Sequence, residues 1–332
     1  AAGWSKYVAA VANRLARDFP GATTGIDIAL ASDLPRAAGL SSSSALVVAL
    51  AQAIVRRGAL DERPEWRREL PALTDLAGYL GAVENGLTFK AFTGAGGVGT
   101  HGGSEDHTAI LLCRAGQVSA YSYLPVLHHG DAAMPRDWSF AVAASGVEAD
   151  KAGAALEQYN RASRATRTLL DRWHARFGGA HRHLAAALQA EPDAVGEFID
   201  SVASDGDLAS RFRHFIGEDG RVPEALDAFR RADRMRLGQL ASLSQEHAET
   251  LLGNQIPETA ELARLAYDAG AFAASTFGAG FGGSVWALAE AADAEGFATR
   301  WLTAYREKFP TRTGASVFTC RPAPATVEIA LA

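Results

Sequence analysis

One stretch governs what this chain can fold into: Pro35-Arg36-Ala37-Ala38-Gly39-Leu40-Ser41-Ser42-Ser43-Ser44-Ala45-Leu46. An alternating apolar run over residues 26–32 leads into it, and an apolar-periodic segment over 45–55 leaves it. The pattern predicts a strand, a glycine-bearing turn, then a helix. Backbone N–H groups and serine hydroxyls would gather at the helix N-terminus, where unpaired donors and the helix dipole favour an anion. Gly39 permits close approach of a ligand to the backbone. One serine would serve as an N-cap, and four exceed that need. A capped helix start and a phosphate cradle are the two readings. The turn lacks Gly-Lys-Ser/Thr, so it is not a P-loop.

The 332 residues suffice for two domains or one large one. A net charge of −6, without a long basic run, argues against nucleic acid as partner. Two cysteines, Cys113 and Cys320, give no disulfide framework and suit a reducing, cytoplasmic setting. No apolar stretch is long enough to span a bilayer, and residues 1–6 lack the features of a signal peptide.

Trp4, Tyr7, Val8, Val11 and Leu15 predict an opening helix, with Trp4 and Tyr7 read as core. Residues 56–69 read as a solvated bend and 70–84 as a helix. Residues 93–103 form a glycine-rich stretch. Gly94, Gly96 and Gly99 match G-x-G-x-x-G, but no strand precedes them, so a mobile loop is expected. The apolar run 108–112 is expected to pair with 117–123 as a hairpin, and 138–144 is another strand. Helices then dominate, over 149–177, 181–189, 192–204, 223–252 and 258–269. Late strands are expected at 284–288, 316–320 and 327–331. A helix-rich second α+β lobe follows from that order. His128-His129 and His181-x-His183 lack accompanying ligands at metal spacing and read as surface features. His101 and His107 read either as substrate-facing or as solvated loop residues.

The serine turn resembles the Pro-x-x-x-Gly-Leu-Ser-Ser-Ser-Ala signature of the GHMP small-molecule kinases, most of all their galactokinase branch. Thr276-Phe277-Gly278-Ala279-Gly280-Phe281-Gly282-Gly283 resembles that family's Thr-Gly-Ala-Gly-Phe-Gly-Gly motif, with Phe277 inserted. Ser145-Gly146-Val147 with Tyr159-Asn160-Arg161, and Asn254-Gln255-Ile256-Pro257-Glu258, are similar to further family segments. The order is kept from about Trp4 to Pro322.

The resemblance implies an α+β, two-lobed GHMP kinase fold. Residues 1–145 would form an N-terminal lobe like ribosomal protein S5 domain 2, and 146–332 a ferredoxin-like C-terminal lobe with extra helices. It implies ATP, held by Gly39, Leu40, Ser41, Ser42, Ser43, Ser44, Gly278, Gly280 and Gly282, in a cleft between the lobes. It implies Mg2+ on Glu84 and Ser43. Asp106 would be the catalytic aspartate, with Gly103, Asp106 and Tyr159 contacting a monosaccharide, galactose or a related sugar. The family's Gly-Ile-Met-Asp-Gln is Gly103-Ser104-Glu105-Asp106-His107 here, which leaves Glu105 and Asp106 as alternatives for the base. A structural role is the competing reading for each: exposed helix carboxylate for Glu84, loop cap for Asp106, core aromatic for Tyr159. A monomer or weak homodimer is expected.

The family's first motif, Arg-Val-Asn-Leu-Ile-Gly-Glu-His-Thr-Asp-Tyr, does not occur in these residues. Three explanations are open: a longer enzyme of which this is a part, a second chain that supplies the motif, or a binding protein that has lost catalysis. The first is the expectation.

Overall fold

The computed structural model describes residues 3–21, 25–35, 37–148, 153–278 and 280–329, apart from the side chains of 153–156 and 159. Two compact units emerge. The first comprises Ala1–Arg36, Ser41–Asp131 and Pro322–Ala332; the second comprises Ala37–Leu40 and Ala132–Arg321.

In the first unit, α1 (Ser5–Asp18), α2 (Ser42–Gly58), α3 (Pro64–Glu69), α4 (Leu73–Asn85) and α5 (Glu105–Leu112) surround a core that includes Val11, Leu15, Phe19, Val47, Tyr79 and Leu80. Strands β1 (Gln117–Tyr123) and β2 (Val126–Ala133) form a two-stranded sheet. Four expectations change here. Residues 25–33 form no strand, and Ile26 and Leu30 are exposed. Alternation supplies a face but not a partner, and a strand exists only when paired. Trp4 is 65% exposed, not core. The charge-rich segment after α2 is not merely solvated: Pro64 starts α3 and Trp66 is buried in the core. The run 108–112 belongs to α5, and β1 pairs with β2 instead. His107, Thr108 and Leu111 are its buried residues, a helical spacing that a short apolar run does not reveal.

The second unit holds β3 (Trp138–Ala144), α6 (Gly153–Phe177), α7 (Leu184–Ala190), α8 (Val195–Val202), α9 (Gly206–Arg230), α10 (Arg234–His247), α11 (Pro257–Ala269), β4 (Ala273–Thr276), β5 (Ser284–Glu290), α12 (Ala294–Lys308) and β6 (Ser316–Cys320). Its sheet is antiparallel with order β4-β5-β3-β6, so β3 belongs to this unit's sheet. The register sets Val142 opposite Trp286 and Ala144 opposite both Ser284 and Ser316. Alanines 141, 143, 274 and 287 are buried with Leu262 and Ala266 of α11 and Phe297 and Trp301 of α12. Their short side chains let the helices lie close on the sheet.

A second core gathers Trp173, Phe198 and Phe212 among α6, α8 and α9. Helix α9 begins well before the expected start at 223, with Pro223 inside it. Gly206, Gly217 and Gly220 make that half read as broken in sequence. Residues 327–329 are not strand; 330–331, like 149–152 and Ala279, lie outside the described residues. Among the described residues no helix is long and apolar enough to cross a membrane.

Candidate active site

In the first unit the predicted carboxylate and hydroxyl groups meet. Helix α2 starts at Ser42, and the Ser41 before it takes a left-handed conformation (φ 56°) and makes no side-chain cap. The first-turn N–H groups therefore keep no serine cap. The hydroxyls go elsewhere. Ser44 donates to Glu84 Oε2 at 3.1 Å, and both residues are buried. The Ser43 hydroxyl lies beside the Tyr7 phenol. Burial raises the Tyr7 phenol pKa first, the Glu84 charge raises it further, and the Ser43 hydroxyl lowers it. Tyr7 thus packs against the core, as helical spacing predicts, while its phenol also lies near Glu84.

Glu84 is 5% exposed, which removes the exposed-carboxylate reading. His107 Nε2 stands 3.0 Å from Glu84 Oε2, and the ring is 2% exposed. The approach lies off the hydrogen-bond axis, so it is a close contact rather than a formed hydrogen bond. His107 is no solvated loop residue; His101 is exposed.

Backbone packing brings α4 and α5 together. A Cβ on Gly81 would lie 2.8 Å from Ser104 Cβ, so glycine is what admits Ser104. Asn85 accepts from Gly102 N at 2.8 Å and Thr100 Oγ1 at 3.2 Å, while Val98 N donates to Glu84 O at 2.9 Å. A Cβ on Gly97 would sit 2.3 Å from Gly86 N. The glycine-rich stretch is thus pinned to the end of α4 rather than loose. Gly103 is exposed beside it, and Asp106 is half-buried in the first turn of α5. Glu105 keeps an open surface yet has protein crowded about it. That crowding, then the Asp106 charge, raises the Glu105 carboxyl pKa above its usual value. Burial raises the Tyr123 phenol strongly, with smaller contributions from Glu105 and Asp106.

In the second unit the distant glycine motifs meet. A Cβ on Gly39 (φ +70°) would lie 3.4 Å from Gly283 Cα, and one on Gly283 (φ +86°) 2.9 Å from Ala38 O. Ser284 Oγ donates to Ala38 O at 2.7 Å. Gly283 O accepts from Ser145 N at 2.9 Å, and Gly283 N donates to Val147 O at 3.1 Å. Asn254 receives Phe281 N on its carbonyl and donates Nδ2 to Gly278 O at 3.2 Å. A Cβ on Gly280 would fall 2.1 Å from Asn254 O, and one on Gly282 3.1 Å from Val147 O. Leu40 is half-buried. Tyr159 lies in α6, but its side chain is outside the described residues. Neighbouring Asn160 is buried.

Family models match both parts of the chain: GHMP kinases N terminal domain over residues 6–80 and GHMP kinases C terminal over 225–307. The chain belongs to the GHMP kinases. Among its relatives in that family, the galactokinase of Actinobacillus pleuropneumoniae serotype 5b (strain L20) is 27% identical over 290 residues, 86% of this chain and 67% of that protein. The galactokinase of Roseiflexus sp. (strain RS-1) is 27% identical over 324 residues, 96% of this chain and 73% of that one. The fold is also that of Lactococcus lactis galactokinase, solved in complex with galactose: TM-score 0.74, 22% identity, 98% of this chain and 77% of that chain.

Within this GHMP kinase the charged and hydroxyl groups fit a phosphate–cation ligand. An uncapped helix start presents N–H donors, and Glu84 is a buried carboxylate flanked by hydroxyls.

Proposed function

We propose that this GHMP kinase is an ATP-dependent sugar kinase that transfers the γ-phosphate to the anomeric hydroxyl of galactose or a related sugar. The observation that carries this reading is the Ser44–Glu84 contact at the start of α2, with Asp106 one residue before His107, whose ring touches the same carboxylate. The galactokinase relatives, matched over most of the chain, support the substrate class.

In this reading the Gly39–Ser44 turn receives the ATP phosphates on backbone N–H groups and serine hydroxyls. Gly278, Gly280 and Gly282 keep the second glycine turn free of side chains along the nucleotide. Glu84 and Ser43 would hold Mg2+, which when bound neutralises phosphate charge. A sugar hydroxyl has a pKa far above neutral, so Asp106 takes its proton as the O–P bond forms, not beforehand. Gly103 and Tyr159 complete the sugar pocket. Positioning and charge neutralisation supply most of the rate. A cytoplasmic setting, where Mg-ATP is abundant, accords with the two unpaired cysteines.

A coupled assay with Mg-ATP and a panel of monosaccharides tests this. Turnover with galactose or a close relative is expected. Asp106→Ala should abolish it while leaving ATP affinity nearly unchanged. Wild-type turnover in Asp106→Ala would remove Asp106 from the mechanism, and nucleotide binding without turnover on any sugar would leave a binding protein.

A further inference from the structure

His107 is an odd residue to bury. It is 2% exposed, and among the described residues neither ring nitrogen makes a formed hydrogen bond. Polar groups enclosed without partners cost stability, so a residue in this state needs another reason to be there. Nor does His107 secure its own helix. Thr108 does that, through Oγ1 to Ser104 O at 2.7 Å and N to Ser104 O at 2.8 Å, while Ser104 sits in the space left by Gly81. The imidazole is therefore held in place by backbone packing of α5 on α4. Held there, its Nε2 lies 3.0 Å from Glu84 Oε2, the same oxygen that receives the Ser44 hydroxyl. Tyr7 faces the carboxylate from α1.

From this juxtaposition we infer that His107 is a positioning residue for the Glu84 carboxylate, fixing it for a divalent cation; the inference rests on the kinase reading of the site. Two groups from different elements bear on one carboxylate oxygen, so the carboxylate plane cannot swing freely about its terminal torsion. A cation ligand held in one orientation binds better than one that must be ordered on binding. Glutamine, which offers an amide donor at similar reach, can replace the imidazole in this role. An aliphatic side chain cannot, although it would suit the buried surroundings.

The test uses Mn2+ with the non-hydrolysable nucleotide AMP-PNP, read by electron paramagnetic resonance of bound Mn2+, alongside thermal melting of each variant. His107→Leu should weaken Mn2+ binding about 10- to 100-fold, the range for loss of a group that orients a metal ligand. Its melting temperature should hold or rise, because two unsatisfied nitrogens leave the interior. His107→Gln should bind Mn2+ within about threefold of wild type. Equal Mn2+ affinity in His107→Leu overturns the inference and leaves the kinase reading standing. So does a His107→Leu protein that fails to fold or melts well below wild type, since the imidazole is then structural. Loss in His107→Gln equal to that in His107→Leu overturns it as well. Wild-type protein that binds no Mn2+ in the presence of the nucleotide overturns both readings.

Discussion

The Ser44 hydroxyl donates to Glu84 Oε2 over 3.1 Å, while the neighbouring Ser43 hydroxyl lies beside the Tyr7 phenol. Two adjacent serines of one helix turn thus have different tasks. Ser44 supports the carboxylate, and in the proposed site Ser43 is the hydroxyl that would meet the cation. Ser43→Ala should therefore raise the Mg2+ concentration needed for half-maximal turnover by about 10- to 100-fold. Ser44→Ala should remove one donor from Glu84 Oε2 and raise it about 10-fold or less. Measured Mg2+ dependence in the two variants decides. A larger effect from Ser44→Ala would exchange their roles.

Much of this site is legible in the sequence because motif spacing survives where element prediction fails. The serine turn, Glu84 and the second glycine cluster are readable as residue patterns, and the structure brings Ser44 to Glu84 and Gly39 to Gly283. What the sequence conceals is anything decided by a partner distant in the chain. Residues 25–33 alternate like a strand but have nothing described to pair with. Residues 108–112 look like a strand and are helix, because the packing of His107 and Leu111 inside the first unit settles the choice. Strand β4 is four residues of alanine, serine and threonine, too short and too weak in β propensity to declare itself. His107 carries no signal of its burial, since its neighbours Glu105 and Asp106 are polar.

Gly283 separates steric demand from backbone freedom. Its φ is +86°, and a Cβ there would meet Ala38 O at 2.9 Å and Gly39 Cα at 3.2 Å. Gly278 also has positive φ, +35°, but its Cβ would meet nothing within 4 Å. In folding stability, Gly278→Ala should cost only the backbone strain, about 1 kcal/mol, because no protein atom meets the added Cβ. Gly283→Ala must in addition push the 38–39 backbone away. It should cost about 2–3 kcal/mol in total and weaken ATP binding at least 10-fold. Chemical unfolding and ATP titration of both variants check this. Equal losses in the two would show that the glycine-to-glycine approach carries no function.

The first unit has a buried ion pair that serves structure rather than chemistry. Arg14 and Asp18 side chains are 3% and 4% exposed, paired at 2.5 Å. The guanidinium also donates to Leu87 O at 2.9 Å and Phe92 O at 3.1 Å, tying α1 to the chain beyond α4. Tyr79 donates to Asp18 at 3.0 Å, and burial together with that carboxylate raises its phenol pKa strongly. Arg14→Leu leaves Asp18 with Tyr79 and the half-exposed Arg17. A loss of about 3 kcal/mol is expected, at the low end for stranding a buried charge because Arg17 remains. Adding Asp18→Asn should recover part of it, since the uncompensated charge is then gone. Urea unfolding of the single and double variants measures both steps; no recovery would mean that the lost carbonyl bonds dominate.

His214 gives the molecule a pH dependence with a definite sign. It is half-buried in α9, with Arg211 Nη1 3.0 Å from its Nδ1. Nδ1 therefore accepts, and the proton sits on Nε2. Burial, then the Arg211 charge, lowers its pKa to about 4 from 6.5. Arg221 and His247 also lower it, and Glu218 opposes them. The folded pKa lies below the unfolded one, so the unfolded chain binds the proton first. Stability from this group is complete above pH 6.5 and is lost as pH falls through 6.5 toward 4. His183, whose Nδ1 caps α7, is lowered by burial and adds to the same trend. The depressed carboxylates Asp131, Glu261 and Asp293 add acid sensitivity only below their unfolded values of 3.8 to 4.5. Between pH 6.5 and 4.5 the histidines pull stability down on acidification, while Glu105, whose raised carboxyl pKa lets the folded chain take its proton first, opposes them. Unfolding free energy followed across that window should fall on acidification in the wild type, and His214→Gln should flatten the fall. An unchanged slope in the variant would mean that His214 protonates as readily folded as unfolded.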